Sequence, residues 1–194
     1  MCVSWDAVMA IATCALVTLG VGTLVYAGIQ IRDFRKEARV KHLIDLVTQF
    51  ETEPYASTRR RLGSARTDGT SLKPSELEHP PPELYDVMNF FEHVGFLLDG
   101  NYLDLEGVSV EFHYWILHIW ADARELIKKE QADDRIYYEF FEKMVNRLLE
   151  YDRPRTGKLD LPSTADIEEF YLDEARNPVG SPLRRRKRSK GISS

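Results

Sequence analysis

Glu92 and Arg124 are the pair of side chains in this chain best suited to chemistry. Glu92 sits on the polar shoulder of an aromatic stretch, and Arg124 follows Trp115 and Trp120 on another. Brought together in a core, a carboxylate and a guanidinium hold two helices in register. In an open cleft the same pair would bind a polar ligand. Paired buried charges occur in many cores and catalytic ones are few, so the structural role is the expected one.

Other reactive constellations fall short. Asp99 and Asn101 match the first two ligands of a calcium loop, but Leu103, Asp104 and Val110 occupy the third ligand, the glycine and the closing glutamate positions. His113 and His118 are five residues apart, about 140° around a helix, and do not share a face. No glycine-rich phosphate loop and no nucleophile elbow is present. The two cysteines, Cys2 and Cys14, lie in or beside the apolar N-terminus, so no Cys-His zinc pattern is possible in the domain. These readings predict no enzyme activity, no metal and no cofactor.

The elements that would carry Glu92 and Arg124 are helices. Val40, Leu43, Val47 and Phe50 form one stripe at spacings of three and four, up to a break at Pro54. A short basic helix over 55–66 carries Arg59, Arg60, Arg61 and Arg66. A loop with Asp68-Gly69 and Pro80-Pro81-Pro82 leads to a helix over 83–98, with Leu84, Met88, Phe91, Gly95 and Leu98 on one face. Gly95 on that packed side would admit a close neighbour. Gly100 is expected to end this helix in the left-handed conformation, and Asp104 to cap the next. That next helix, over 105–130, is central by its Phe112, Ile116, Ile119, Ala123 and Leu126 stripe, and Asp133 is expected to start another, through Tyr151. No stretch alternates with period two, so no sheet is predicted.

The N-terminus is different in kind. Residues 7–31 contain no charge. As a helix they would be about 37 Å long, enough to cross a hydrocarbon core of about 30 Å. Arg32, Arg35, Lys36, Arg39 and Lys41 follow, against Asp6 alone on the other side. This asymmetry predicts a single span with the N-terminus out and the domain cytoplasmic, the basic cluster touching anionic lipid. Thr18 and Gly22 form a small-xxx-small pair that would allow a homodimer through the span.

The far end is basic too. The chain's net charge is −5, and the six basic residues after Gly180 leave the rest at −11. Arg184, Arg185, Arg186, Lys187 and Arg188 lack interleaved aromatics, so anionic lipid is a better expected contact than nucleic acid. Before them, residues 165–175 can form a short acidic helix docking through Ile167, Phe170, Tyr171 and Leu172.

The segment Asn89-Phe90-Phe91-Glu92-His93-Val94-Gly95-Phe96-Leu97-Leu98-Asp99-Gly100-Asn101-Tyr102-Leu103-Asp104, with Trp120 and Arg124 beyond it, resembles a family of uncharacterised bacterial proteins. Its members share a Phe-Glu near a Gly, then a Trp and an Arg one helix later. The resemblance spans roughly residues 7–150. It implies one N-terminal span, a helical cytoplasmic domain and a place in the bacterial inner membrane, and it implies no activity.

The expected architecture is therefore all-α. An extracytoplasmic 1–6 precedes a transmembrane helix over 7–31, a cytoplasmic bundle over 32–151 and a flexible tail over 152–194. The expected role is a membrane-anchored interaction or scaffolding module with an unknown protein partner. The competing expectation is a small-ligand sensor or enzyme using Glu92 and Arg124.

Overall fold

The computed structural model describes residues 5–67, 74–76, 79–156 and 161–176. Six α-helices account for most of them: α1 Trp5–Glu51, α2 Tyr55–Thr67, α3 Pro82–Asp99, α4 Leu105–Asp133, α5 Glu139–Thr156 and α6 Thr164–Arg176. A 3-10 turn at Pro74–Glu76 precedes α3, and no strand occurs among the described residues. The chain divides into two units, residues 1–41 and 42–194.

The first unit is the N-terminal part of α1. Its large apolar side chains are exposed, with Leu16, Val17, Leu19, Val21, Leu24 and Val25 each 56–75% accessible. Among the described residues no helix is long and apolar enough to cross a membrane. This overturns the transmembrane helix expected over 7–31, and with it the single-pass, N-terminus-out placement in a bacterial inner membrane. The expectation rested on missing charge, which is not the same as sufficient apolarity. Thr13, Thr18, Thr23, Gly20, Gly22, Gly28 and Gln30 add no charge and little apolar surface. Thr13 and Thr23 also carry hydroxyls, which donate to the Met9 and Leu19 carbonyls one turn back.

The second unit has a core built around Phe50. This last-turn residue of α1 is 1% exposed. Its ring lies 4.8 Å from Phe90, 5.4 Å from Phe91, 5.7 Å from Phe112 and 5.5 Å from Trp115. The α3 and α4 stripes expected from spacing are the buried ones, including Leu84, Met88, Phe91 and Leu98, and Phe112, Ile116, Ile119 and Leu126. The closest helix partnerships are α2 with α6 and α3 with α5.

Two boundaries and one docking face differ from expectation. Gly100 has φ −72°, while Asn101 has φ 60° and is the left-handed residue. An asparagine tolerates that region, and the Tyr102 amide then reaches back to the Leu97 carbonyl at 2.9 Å. Asp133 ends α4 rather than starting a helix, and α5 begins only at Glu139, after Tyr138 at φ 57°. The third is α6, whose Phe170 and Tyr171 are 1% and 2% exposed, whereas Leu172 points outward. Asp104 caps α4 as expected, its Oδ1 accepting from the Gly107 amide at 2.7 Å.

Candidate functional site

Glu92 occupies a joint between helices. Its two carboxylate oxygens accept from the Phe140 amide at 3.2 Å and the Phe141 amide at 2.7 Å. They thereby satisfy donors in the first turn of α5 that have no partner within that helix. A negative charge there also meets the positive end of the helix dipole. One turn along α3, Gly95 makes the approach possible. A Cβ at Gly95 would lie 2.3 Å from the Phe140 carbonyl oxygen. At the other end of the joint, Arg147 on α5 donates to the Leu98 carbonyl near the end of α3 at 3.4 Å. Burial pushes the Glu92 carboxyl above its ordinary range, against the two amides, which act in the opposite direction.

Arg124 is elsewhere. It is half-exposed on α4 with its Nε 3.5 Å from Glu125. The structure therefore does not assemble Glu92 and Arg124 into one site. Arg124 lines an open cleft of about 730 Å³ with Arg66, Asp122, Ile167 and Tyr171.

The densest polar chemistry lies where α2, α4 and α6 meet. Arg59 and Glu174 form an ion pair at 3.3 Å, with side chains 3% and 2% exposed. The Trp115 indole donates to the other Glu174 oxygen at 3.0 Å. The Arg59 guanidinium also lies over the Phe50 ring, 4.4 Å from its centroid. Two turns along, Arg66 donates to Asp122 Oδ1 at 2.7 Å and the Tyr171 hydroxyl donates to Oδ2 at 2.7 Å. Burial raises the Asp122 carboxyl against the pull of Arg66. It also raises the Tyr171 phenol well above its ordinary value, helped by the Asp122 charge. The raised phenol keeps the Tyr171 hydroxyl protonated, as its donation to Asp122 requires.

Backbone proximity makes this junction possible. A Cβ at Gly63 would lie 2.6 Å from the Ala175 nitrogen and 2.8 Å from the Tyr171 oxygen, so α2 and α6 cross at the glycine. Beside the crossing, His118 is buried, with Nδ1 2.6 Å from the Tyr114 oxygen and its ring stacked on Phe170 at 4.9 Å.

None of these five charged and phenolic residues stood out as chemistry in the sequence, yet their spacing carried a signal. Arg59 and Arg66 are seven apart, as are Trp115 and Asp122, and Tyr171 and Glu174 are three apart. Those intervals return to one helix face. Polar residues on an apolar stripe at matching spacing are the mark of buried pairs.

Arg32, Arg35, Lys36 and Lys41 are exposed on α1, and Arg39 is half-buried. The basic run at 184–188 lies outside the described residues. Among the described residues no group of three or more His, Cys, Asp or Glu side chains could hold a metal ion.

The family model for a domain of unknown function, DUF4760, matches residues 10–148. The chain belongs to the DUF4760 family. The match takes in α3, α4 and most of α5, hence the Glu92–Gly95 joint, as well as Arg59, Arg66, Trp115 and Asp122. It ends before α6. No curated protein and no solved structure matches the chain.

Proposed function

We propose that this DUF4760 protein is a non-enzymatic helical interaction module, and that it self-associates through the N-terminal part of α1. The observation that carries this reading is a set of helix-interior glycines with nothing beside them. Apart from their chain neighbours and their own helix backbone, Gly20, Gly22 and Gly28 have no described heavy atom within 4 Å of where a Cβ would stand. Each costs the helix about 0.5–1 kcal/mol relative to alanine. Among the described residues this cost has no return, unlike Gly63 and Gly95, which sit under another helix's backbone.

Large apolar side chains around these glycines are exposed, among them Leu16, Leu19, Leu24, Val25 and Phe34. Exposed large apolar side chains grouped along one helix mark an interaction site. A glycine next to Thr18 one turn away lets a second helix approach backbone to backbone. A second copy fits because its surface is identical, so each chain supplies both the apolar side chains and the gap that receives them.

Sedimentation velocity of the full chain over a dilution series tests the reading. Gly22→Leu adds apolar area while blocking close approach. The proposal expects association to weaken about tenfold, or ~1.4 kcal/mol. A Gly22→Leu chain that associates as strongly as the unaltered one, or more strongly, removes the proposed contact.

A further inference from the structure

The family-matched residues and α6 stand in an unusual relation. The surface that α6 covers is built from Arg59, Leu62 and Gly63 on α2 and Trp115 and Asp122 on α4, all inside the match. The helix that covers it, Thr164–Arg176, is outside.

That surface has the parts of a helix receptor. Gly63 makes a shallow place for a backbone to cross. Arg59 presents a buried cation that Glu174 meets, and the Trp115 indole fixes the second carboxylate oxygen. Asp122, held by Arg66, presents an acceptor that takes the Tyr171 hydroxyl. Phe170 fills the remaining apolar space against Tyr114 and His118. The receptor thus reads an aromatic pair followed three residues later by an acid.

The helix itself has the parts of a ligand. It has 13 residues, which is short for a helix standing alone in water. Its order therefore comes from docking. It is joined to α5 through residues 157–163. Seven residues reach about 24 Å when extended, enough for α6 to leave its seat without unwinding α5.

We propose that α2 and α4 form a helix-binding groove which α6 occupies as an intramolecular ligand, and that when α6 leaves, the groove takes an acidic amphipathic helix with the same Phe-Tyr-x-x-Glu pattern from a partner. The chain's own helix then competes with the partner, and the strength of α6 docking sets the threshold for binding. This groove and the α1 surface are built from different residues, so either can fail without the other.

The test uses the full chain with a site-specific protease sequence in place of residues 157–160. After cleavage, a fluorescently labelled peptide of residues 164–176 is added and its anisotropy followed. The expected result is saturable entry of the peptide, with the body keeping its cooperative thermal transition. A peptide carrying Tyr171→Phe and Glu174→Gln should bind at least tenfold more weakly, and Gly63→Leu in the body should abolish entry. The peptide variants need no folding of their own, so they decide the matter even if Gly63→Leu disturbs the body. Three results would overturn the proposal. They are loss of the thermal transition on cleavage, equal binding of the variant peptide, or no entry of the labelled peptide at large excess.

Discussion

The joint between α3 and α5 makes the sharpest prediction, for Gly95→Ala. The new Cβ would stand 2.3 Å from the Phe140 oxygen and 2.6 Å from its carbonyl carbon. An unstrained carbon-to-oxygen contact is about 3.3 Å, so the two backbones must part by about 1 Å. Overpacking of this kind costs roughly 2 kcal/mol. The same movement stretches the 2.7 Å bond from the Phe141 amide to Glu92, and losing a cap costs a further ~1 kcal/mol. Alanine returns about 1 kcal/mol of helix propensity. The net loss is about 2 kcal/mol, which for a body of this size lowers Tm by about 6–10 °C. Thermal unfolding followed by near-ultraviolet circular dichroism measures it, because the aromatic core reports on tertiary packing. Glu92→Leu in the same chain should make the Gly95→Ala penalty smaller, since the cap is then already gone. A Gly95→Ala protein as stable as the unaltered one would refute the close approach, and with it the account of how α5 is seated.

Two further predictions concern charge. The raised Glu92 carboxyl means that the folded chain holds that proton more tightly than the unfolded chain does. Its contribution to stability is therefore present below the unfolded pKa and is lost as pH rises through the folded one. The Tm of the unaltered protein relative to Glu92→Gln should fall as pH rises above about 4; a relative Tm that rises with pH would reverse the sign of the argument. At the buried junction, Glu174→Ala strands the Arg59 guanidinium and should cost about 3 kcal/mol in urea unfolding. The cycle completed by Arg59→Met should give a coupling of at least ~1 kcal/mol, and strictly additive singles would mean that the ion pair is not felt.

The helices were legible in the sequence because their apolar residues recur at intervals of three and four, and that periodicity is local. The breaks at Pro54 and around Gly100 were legible for the same reason, since proline and glycine act on their own backbone. Asp104 capped α4 as read, from an interaction only three residues long. The start of α5 was not legible. Nothing local shows that the chain turns at Tyr138, or that the first amides of α5 are satisfied by a carboxylate from α3. The left-handed residue moved from Gly100 to Asn101 because two adjacent residues both tolerate that conformation, and the hydrogen bonds of the finished turn chose between them.

Charge was legible as composition but not as position. The sequence marked Gly95 as a place for a close neighbour, and one is there. It could not say that the neighbour is the Phe140 backbone, nor that Arg124 faces a different part of the molecule. The absence of charge over residues 7–31 suggested a span, but it is a statement about what those residues lack, and no described helix is apolar enough to cross a membrane. Arg59, Arg66, Asp122 and Glu174 looked like ordinary surface charges one at a time. Only the meeting of α2, α4 and α6 brings them together and removes them from water. The sequence determines the helices and their faces because those depend on neighbours along the chain. Tertiary structure decides which faces meet, and so which charges are buried, because that depends on residues as far apart as Arg59 and Glu174.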